Sequence, residues 1–414
     1  MAAHDGGGPM REDSLVPVLR GTNQAGMRAA NERLVLSLVR HAGALSKTEI
    51  ARLTGLSTQT ISVIMRALER DALLQRGEPQ RGRVGQPSVP LSLDPDGAFF
   101  IGAKIGRRSL EVVLVDFTGN LRHRSSTAYA YPTPGRTISL ILEAVAASQA
   151  ILGPMASRIA GLGLAMPFQL WTWAEEIGAP SDDMSSWRDV DIRTEVAARL
   201  PFPVYMQNDA TAACGAELAF GSHAGLQDFL YVYIGAFIGG GLVVDGALFV
   251  GRTGNAAALG SMPVPDGAGG TVQLLERASL VILERRLRAR GQSAEALFDM
   301  RSDWAELQPE VDRWIAGAAA GIAQAVASAL ALIDFEAVVI DGAMPSEVRD
   351  RLVAATDVAL NRLDLAGLQR PTLRPGTIGP IARALGGASL PLFERYLIGK
   401  HTRGLATTPL PEPA

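Results

Sequence analysis

The strongest constraint on the fold is the stretch Gln207–Glu217, which reads QNDATAACGAE. The apolar run PVYM precedes it and is typical of a buried strand, whereas its alanine-rich part has a high helix propensity. The pattern predicts a strand that ends at an amide and a carboxylate, Asn208 and Asp209, and turns at once into a helix. Open α/β sheets bind ligands at such strand ends, because side chains there project beyond the sheet. We therefore expect an α/β fold with ligand chemistry at this junction.

Two interpretations of this junction are open. A carboxylate beside an amide could accept a proton from a sugar hydroxyl and hold the neighbouring hydroxyl. Alternatively, Asp209 is the N-cap of the helix and accepts its first free N–H groups, since Asp is among the preferred capping residues. The local sequence does not decide between them.

The front of the chain differs from the rest in charge. Residues 1–90 contain 12 Lys and Arg against 8 Asp and Glu, whereas the remainder contains 27 against 34. A polyanion is the partner that such a basic front end suits. The same region predicts an amphipathic helix over residues 28–42, a second helix that starts at the capping box SKTE, and a turn at Gly55 and Leu56.

A third helix, TQTISVIMRALERD, is predicted to read DNA. Its apolar residues share one face, and its other face carries the amide, hydroxyl, methyl and guanidinium groups that read base edges in a major groove. Strand-like segments at 73–75 and 89–93 then flank an arginine-bearing loop, a predicted wing suited to phosphates or a narrow minor groove. We expect DNA contacts from Ser57, Thr58, Gln59, Thr60, Ser62, Val63, Arg66, Arg81, Arg83 and Gln86. The alternative is a three-helix protein-interaction module, but the ordered set of turn, reader face and wing favours DNA.

The rest of the sequence predicts the same arrangement of strands and helices twice. After an N-terminal extension (1–27), the winged helix-turn-helix (28–93) and a short linker (94–97), residues 98–209 form a first lobe and residues 210–377 a second. Each lobe begins with hairpin-like strands that are followed by helices. A cleft is expected between the two lobes, and a C-terminal helix at about 378–400 is expected to return to the first.

Composition excludes several kinds of protein. Cys214 is the only cysteine, which excludes an internal disulfide framework and a multi-cysteine metal cage. The N-terminus lacks the apolar core of a signal peptide, so we expect a cytoplasmic protein. Trp314–Ile333 is uncharged and long enough to span a bilayer. Its small residues and the strand that follows favour a buried helix packed closely against a sheet, and no membrane partner is expected.

The order of these motifs resembles the ROK family of bacterial repressors and sugar kinases. The match includes the winged helix-turn-helix, the strand triplet, QNDATAACGAE, YIGAFIGGGLVVDG and VVIDG, and it extends from about residue 20 to 400. Its N-terminal part resembles the regulator branch. The resemblance implies a two-lobed, actin-like and sugar-kinase-like body. It also implies that Asn208 and Asp209 bind the sugar, with Asp209 in the position of the kinases' catalytic base.

The chain departs from the family's kinases at both phosphate loops. The kinases have an Asp-x-Gly-Gly-Thr type turn where this chain reads KIGRR from Lys104 to Arg108. Their second loop carries a Thr, whereas here Ala236 lacks the hydroxyl and Phe237 puts a large ring where a nucleotide would approach. Because phosphoryl transfer depends on positioning and charge neutralisation, we expect no kinase activity, no catalytic residue and no cofactor. Lys104 is expected to have a structural role or to contact an acidic ligand.

The family's zinc element has also changed. Residues 257–262 read AALGSM where relatives have Gly-Glu-x-Gly-His-Met, and GAGGTVQLLE replaces the cysteine cluster. A structural zinc site requires four ligands, so no metal is expected. Ala258 and Ser261 lack two side chains that hold the sugar in relatives, and Glu276 is matched to the remaining acidic contact. The pocket is expected to bind a different sugar, a sugar derivative, or nothing.

The sequence therefore predicts a DNA-binding transcriptional regulator, a repressor of carbohydrate transport or catabolism. We expect a homodimer or homotetramer that binds an inverted-repeat operator and senses a sugar-like effector. Two alternatives are an active ATP-dependent sugar kinase with an added DNA-binding domain, and a ligand-blind regulator whose body serves only for oligomerisation. Ala236 and Phe237 weigh against the kinase.

Overall fold

The computed structural model describes residues 24–79, 89–174, 178–223, 225–299 and 302–398. Its N-terminal head consists of three helices and a three-stranded antiparallel sheet in which β3 lies between β1 and β2. The head contains α1 (Gln24–Ala42), β1 (Ala44–Ser46), α2 (Lys47–Thr54), α3 (Thr58–Arg70), β2 (Leu74–Arg76) and β3 (Pro90–Leu93). The predicted capping box is confirmed, since Ser46 Oγ accepts from Glu49 N at 3.3 Å and Glu49 Oε2 accepts from Ser46 N at 2.8 Å.

Lobe 1 is built on a five-stranded sheet in the order β6-β5-β4-β7-β8. It contains β4 (Phe99–Ile105), β5 (Ser109–Asp116), β6 (Leu121–Ala128), α4 (Pro134–Leu152), β7 (Ile159–Ala165), α5 (Ser181–Ser185), α6 (Ile192–Ala197) and β8 (Val204–Gln207). β4, β5 and β6 are antiparallel neighbours, whereas β7 and β8 run parallel to β4.

Lobe 2 repeats this topology in the order β11-β10-β9-β14-β15. β9, β10 and β11 are antiparallel neighbours, and β14 and β15 run parallel to β9. The second half contains α7 (Asp209–Phe220), β9 (Phe229–Ile234), β10 (Ile238–Val244), β11 (Ala247–Phe249), β12 (Pro263–Pro265), β13 (Thr271–Gln273), α8 (Leu275–Ala278), α9 (Leu280–Ala289), α10 (Glu310–Leu330), β14 (Ala337–Gly342), α11 (Ser346–Leu360), β15 (Thr372–Pro375) and α12 (Ala382–Tyr396). The predicted repeat of one arrangement is thus confirmed.

Two helices lie between the sheets. α12 packs on β4 and β7 of lobe 1, α7 packs on β10 of lobe 2, and the two helices pack on each other. These contacts are close: a Cβ added at Gly102 would lie 2.0 Å from Ala384 O, and one added at Gly386 would lie 2.0 Å from Ala212 O. Interiors have no free space to absorb such a clash, so small residues set this packing. The C-terminal helix α12 therefore lies against the sheet of lobe 1.

The uncharged stretch Trp314–Ile333 lies mostly within α10, a buried helix of the lobe 2 core. Trp314 and Ile322 are almost inaccessible and belong to the same apolar cluster as Leu230 of β9 and Ile340 of β14. The predicted buried helix is confirmed. By length and composition alone, the segment Pro134–Arg158 could cross a membrane, but the apolar face of α4 lies in the core of lobe 1.

The head is joined to lobe 1 by a shared apolar core. Val39 of α1 belongs to one buried cluster with Phe117, Phe393 and Leu397. The predicted linker forms a short 3-10 turn at Pro95–Gly97, and Phe117 N donates to Pro95 O at 3.0 Å. Head and body therefore share packed side chains in addition to the chain connection.

Candidate functional site

The reader helix α3 presents the polar face that the sequence predicts. Ser57 caps it by accepting from Thr60 N at 3.1 Å, and Ile61 and Met65 hold its apolar face in the core of the head. Ser57, Thr58, Gln59, Thr60 and Arg66 are exposed, Ser62 is half-buried, and Val63 is 49% exposed. An exposed valine at this position suits contact with a thymine methyl group.

The wing is described only at its base. β2 and β3 pair from Leu74 to Arg76, close to the predicted strand ends. Arg81, Arg83 and Gln86 lie outside the described residues, so their DNA contacts stay predictions.

The two lobes enclose a cavity of about 720 Å³. Lobe 1 lines it with the end of β4 and the following turn, and Asn208 and Asp209 line it where β8 passes into α7. The wall also includes the loop after β7, the turn between β9 and β10, the segment before β12, α8, α9 and the first turn of α12. Pockets for small ligands have about this size, roughly 300–1,000 Å³.

Asn208, and not Asp209, is the N-cap of α7. Its Oδ1 accepts from Ala210 N at 3.0 Å and from Thr211 N at 3.3 Å. Asp209 is the first helical residue, and its Oδ2 accepts from Arg383 Nη1 at 3.0 Å. The cap interpretation of Asp209 is therefore wrong for a geometric reason: the residue before it already bonds to the free N–H groups. The Asp209 carboxylate is directed at a cation.

Arg383 is the second residue of α12 and lies over the Tyr233 ring, with 5.0 Å from its Cζ to the ring centroid. Burial alone would lower the pKa of Arg383, but Tyr233 and Asp209 outweigh burial, so the pKa is raised. Its Nε is buried and has no hydrogen-bond partner among the described residues. Arg383 is thus firmly charged and keeps an unused donor beside Asp209.

Lys104 is a second buried cation of the cavity. Its Nζ lies 3.2 Å from Glu111 Oε1 on the neighbouring strand, and the residue is 7% exposed. Burial and then the charge of Arg383 lower the pKa of Lys104 to about 8. Glu111 is shared with Arg124, whose Nη2 lies 3.3 Å from Glu111 Oε2.

An ion-pair cluster joins the two lobes across the cleft. Arg107 of lobe 1 pairs with Glu284 of α9, with 2.9 Å between Nη2 and Oε2. Arg108 and Arg288 lie 3.6 and 2.7 Å from the same carboxylate. The Phe298 ring covers both lobe 1 arginines, at 5.9 Å from Arg107 Cζ and 5.1 Å from Arg108 Cζ. These side chains join the lobes between the turn after β4 and α9.

The turn between β9 and β10 directs its carbonyl groups toward a helix N-terminus. Leu280 N donates to Gly235 O and Val281 N donates to Ala236 O, each at 3.1 Å. These are the first N–H groups of α9, and free N–H groups at a helix N-terminus are what usually binds a phosphate. Since the protein's own backbone bonds to them, this turn is poorly suited to hold a nucleotide.

Sequence profiles identify both parts of this architecture. The profile of the ROK family matches residues 100–390, and a winged helix-turn-helix DNA-binding profile matches residues 28–71. The chain belongs to the ROK family. Its winged head and two-lobed body are those expected from the sequence.

Individual ROK proteins are similar to this chain at moderate identity. It is 21% identical to the xylose repressor of Bacillus subtilis (strain 168) over 247 residues, 58% of this chain and 62% of that repressor. It is 31% identical to the glucokinase of Streptomyces coelicolor (strain ATCC BAA-471 / A3(2) / M145) over 170 residues, 40% of this chain and 50% of that enzyme. The crystal structure of a ROK family transcriptional regulator, a homologue of the Escherichia coli Mlc protein, matches with a TM-score of 0.67 and 18% identity, over 88% of this chain and 96% of that chain. This structural likeness shows the fold.

The segment 257–262 contributes small residues to the cavity. Ala258 and Ser261 line it, whereas Glu276 is exposed on α8 and is not part of the wall. Leu275, next to Glu276, faces the cavity instead. The structure therefore brings Asn208 and Asp209 together but leaves Glu276 apart from them. The described residues hold no group of three or more His, Cys, Asp or Glu that could bind a metal.

Sequence reasoning missed three residues that shape this ROK cleft: Arg383, Glu284 and Phe298. The partners of Arg383 and Glu284 lie 174 and 177 positions away along the chain. A sequence signal existed only for lobe 1, where the KIGRR turn carries an unusual lysine and two arginines.

Proposed function

We propose that this protein is a cytoplasmic transcriptional repressor that binds operator DNA and responds to a sugar or sugar derivative in its interlobe cleft. The observation that carries the proposal is a pair of helices: α7 and α12 both begin at the cleft and end at the head. The xylose repressor and the Mlc-like regulator support this function by similarity.

The head supplies the DNA-binding part of the proposal. α3 exposes hydroxyl, amide, methyl and guanidinium groups along one face, which is the chemistry of major-groove readers. An inverted-repeat operator follows if the protein is a homodimer or homotetramer, because a two-fold axis pairs two heads on two half-sites.

The cleft supplies the sensing part. Asn208 and Asp209 can hold two neighbouring hydroxyl groups of a sugar, and each hydrogen bond to a charged group contributes roughly 1.5–3 kcal/mol. The Asp209 carboxylate has four lone-pair positions, and Arg383 Nη1 occupies one of them. A sugar hydroxyl can therefore bond to Asp209 while Arg383 stays bound, or it can take the place of Arg383.

The helices α7 and α12 connect sensing to DNA binding. Asp209 and Arg383 lie in their first turns, in the cleft. At the other end of α7, Phe220 contacts Arg40 of the head, with 5.8 Å from the ring centroid to Cζ. Beyond the end of α12, Ile398 N donates to Ser37 Oγ of α1 at 3.0 Å. A ligand that moves either first turn displaces a contact of the head and changes the spacing of two heads in an oligomer.

The same cleft is ill suited to phosphoryl transfer. Lys104 stands where a kinase needs a metal-side carboxylate, and the first N–H groups of α9 bond to the turn at Gly235 and Ala236. Arg383 neutralises the carboxylate that would act as base. Because phosphoryl transfer depends on metal, phosphate loops and base together, we infer that the protein has no kinase activity.

The first experiment is a genomic binding selection with the purified full chain. We expect a preferred inverted repeat and an affinity that falls steeply with salt. A protein without any preferred site would overturn the repressor function.

The second experiment measures sugar binding and operator release together. Calorimetry against a panel of monosaccharides should find a ligand, and that ligand should lower operator affinity in the same preparation. A coupled ADP assay should show no turnover above background, and metal analysis should show no stoichiometric zinc. If no sugar binds, the protein is a ligand-blind regulator and not a sugar sensor. Turnover in the ADP assay would instead support an active sugar kinase.

A further inference from the structure

The cavity carries more positive charge than a neutral sugar requires. Its described wall contains four cations and two carboxylates: Lys104, Arg107, Arg108 and Arg383 against Asp209 and Glu284. Glu111 pairs with Lys104 from outside this lining. One net positive charge therefore remains among these groups.

Lys104 and Arg383 retain donors. A lysine ammonium has three N–H groups, and Glu111 Oε1 accepts from one of those of Lys104. A guanidinium has five, and Arg383 Nη1 donates to Asp209 Oδ2. An anionic ligand group that accepts from these cations gains charge-assisted hydrogen bonds.

These observations extend the proposed function. We propose that the effector is a sugar that carries an anionic group, a carboxylate or a phosphate, which Lys104 and Arg383 bind while Asn208 and Asp209 bind its hydroxyls. The inference rests on the proposed function, because it assigns the ligand class of the same cleft.

The geometry favours an acidic sugar over a nucleotide. The anion-binding donors are two side chains next to Asp209, whereas the first N–H groups of α9 already bond to Gly235 and Ala236. The Arg107–Glu284 pair joins the lobes next to the same turn after β4. An anionic group attached directly to the sugar needs only side-chain donors such as those of Lys104 and Arg383.

Calorimetry of the full chain against matched pairs tests this inference. Each neutral aldose of a panel of common hexoses and pentoses is compared with its uronate and with its terminal phosphate. We expect at least one acidic member to bind roughly 10- to 100-fold tighter than its neutral parent, the effect of one or two charge-assisted hydrogen bonds. The uronate and phosphate series distinguish the two anionic groups.

Two variants locate the charge preference. Lys104→Met keeps the length of the side chain but removes its charge, and it should reduce the ratio of acidic-sugar to neutral-sugar affinity about tenfold or more. Arg383→Met gives an independent test if the first variant does not fold. Arg136→Met is the control, because Arg136 lies on α4 outside the cavity and its side chain is 60% exposed.

The outcomes separate this inference from the proposed function. Loss of the acidic preference in Lys104→Met or Arg383→Met, with Arg136→Met unchanged, supports the acidic effector. Binding of neutral sugars alone, unaffected by Lys104→Met, overturns it and leaves the sugar sensor intact. A wild type that binds its operator but no sugar of any charge overturns both.

Discussion

Arg107 of lobe 1 and Glu284 of lobe 2 form a buried ion pair across the cleft, with 2.9 Å between their side-chain atoms and 6% and 4% of the side chains exposed. Arg108 and Arg288 approach the same carboxylate from either lobe. Buried charges are tolerated when they are paired, so separation of the lobes at this point has to move a cation away from its carboxylate. The pair therefore opposes separation of the two lobes.

Removal of Glu284 should be strongly destabilising. Glu284→Gln leaves Arg107 buried without a carboxylate, and loss of one partner of a buried pair typically costs about 3–5 kcal/mol. We expect a clear fall in the denaturation midpoint measured by circular dichroism in urea.

Arg288→Gln is the matched control for Glu284→Gln. It removes a partner of the same carboxylate, but the Arg288 side chain is 60% exposed, and exposed pairs contribute about 0–1 kcal/mol. Equal midpoints for the two variants would contradict a buried interlobe pair.

The reader face of α3 should determine operator choice. Arg66→Ala should lower operator affinity by about 1–3 kcal/mol and reduce the preference over a scrambled duplex, and Val63→Ala should relax specificity at one base pair. Arg81→Ala and Arg83→Ala should weaken binding more uniformly and flatten the salt dependence. Fluorescence anisotropy on both duplexes at several salt concentrations measures these effects. If Arg66→Ala lowered the affinity for both duplexes equally, Arg66 would not read the bases.

Asp209→Asn should weaken the ligand response and leave the operator affinity of the free protein nearly intact. The substitution removes the charge that holds a sugar hydroxyl, with a loss of roughly tenfold or more in sugar affinity. Asp191→Asn is the control, since Asp191 caps α6 at its exposed surface and Asn caps equally well. Calorimetry combined with operator release compares them, and identical sugar responses of Asp209→Asn and wild type would exclude Asp209 from the site.

The affinity for an acidic sugar should depend on pH through Lys104. Its pKa in the free cleft is about 8, because burial outweighs the attraction of Glu111 and Asp209 while Arg383 repels its charge. A bound anion raises this pKa, so binding takes up a proton above pH 8. We expect a flat affinity below that pH and a fall approaching about tenfold per unit above it. Calorimetry between pH 6 and roughly 9.5 checks this, with a neutral sugar as control, and a flat profile for the acid would contradict it.

Local parts of this architecture are predictable because their partners are close in sequence. Ser46 and Glu49 are three residues apart, and their reciprocal capping bonds follow from that spacing. At the cleft, adjacent Asn208 and Asp209 are both good capping residues, and the sequence gives no means to rank them. The structure assigns the cap to Asn208 because its side chain reaches two N–H groups.

The cleft itself depends on contacts that no local pattern contains. Arg383 meets Asp209 only because α12 crosses back between the lobes, and Glu284 meets Arg107 only because α9 faces the turn after β4. For Glu276 the family resemblance suggested a sugar contact, but Leu275 and not Glu276 lines the cavity.

The contact of Arg40 with the body should transmit the ligand signal. Arg40 donates to Phe117 O and lies 5.8 Å from the Phe220 ring centroid at the end of α7, and burial lowers its pKa to about 10 although Asp116 partly offsets the effect. Arg40→Met keeps apolar packing but removes this polar link. We therefore expect operator and sugar affinities near wild type, with the sugar-induced loss of operator affinity, typically about 1–3 kcal/mol in coupled systems, largely abolished. Arg28→Met on the same helix is the control, because the Arg28 side chain is 55% exposed and pairs with Glu32. Operator titrations with and without sugar measure the coupling directly, and a coupling in Arg40→Met equal to that of Arg28→Met would show that the signal reaches the head by another route.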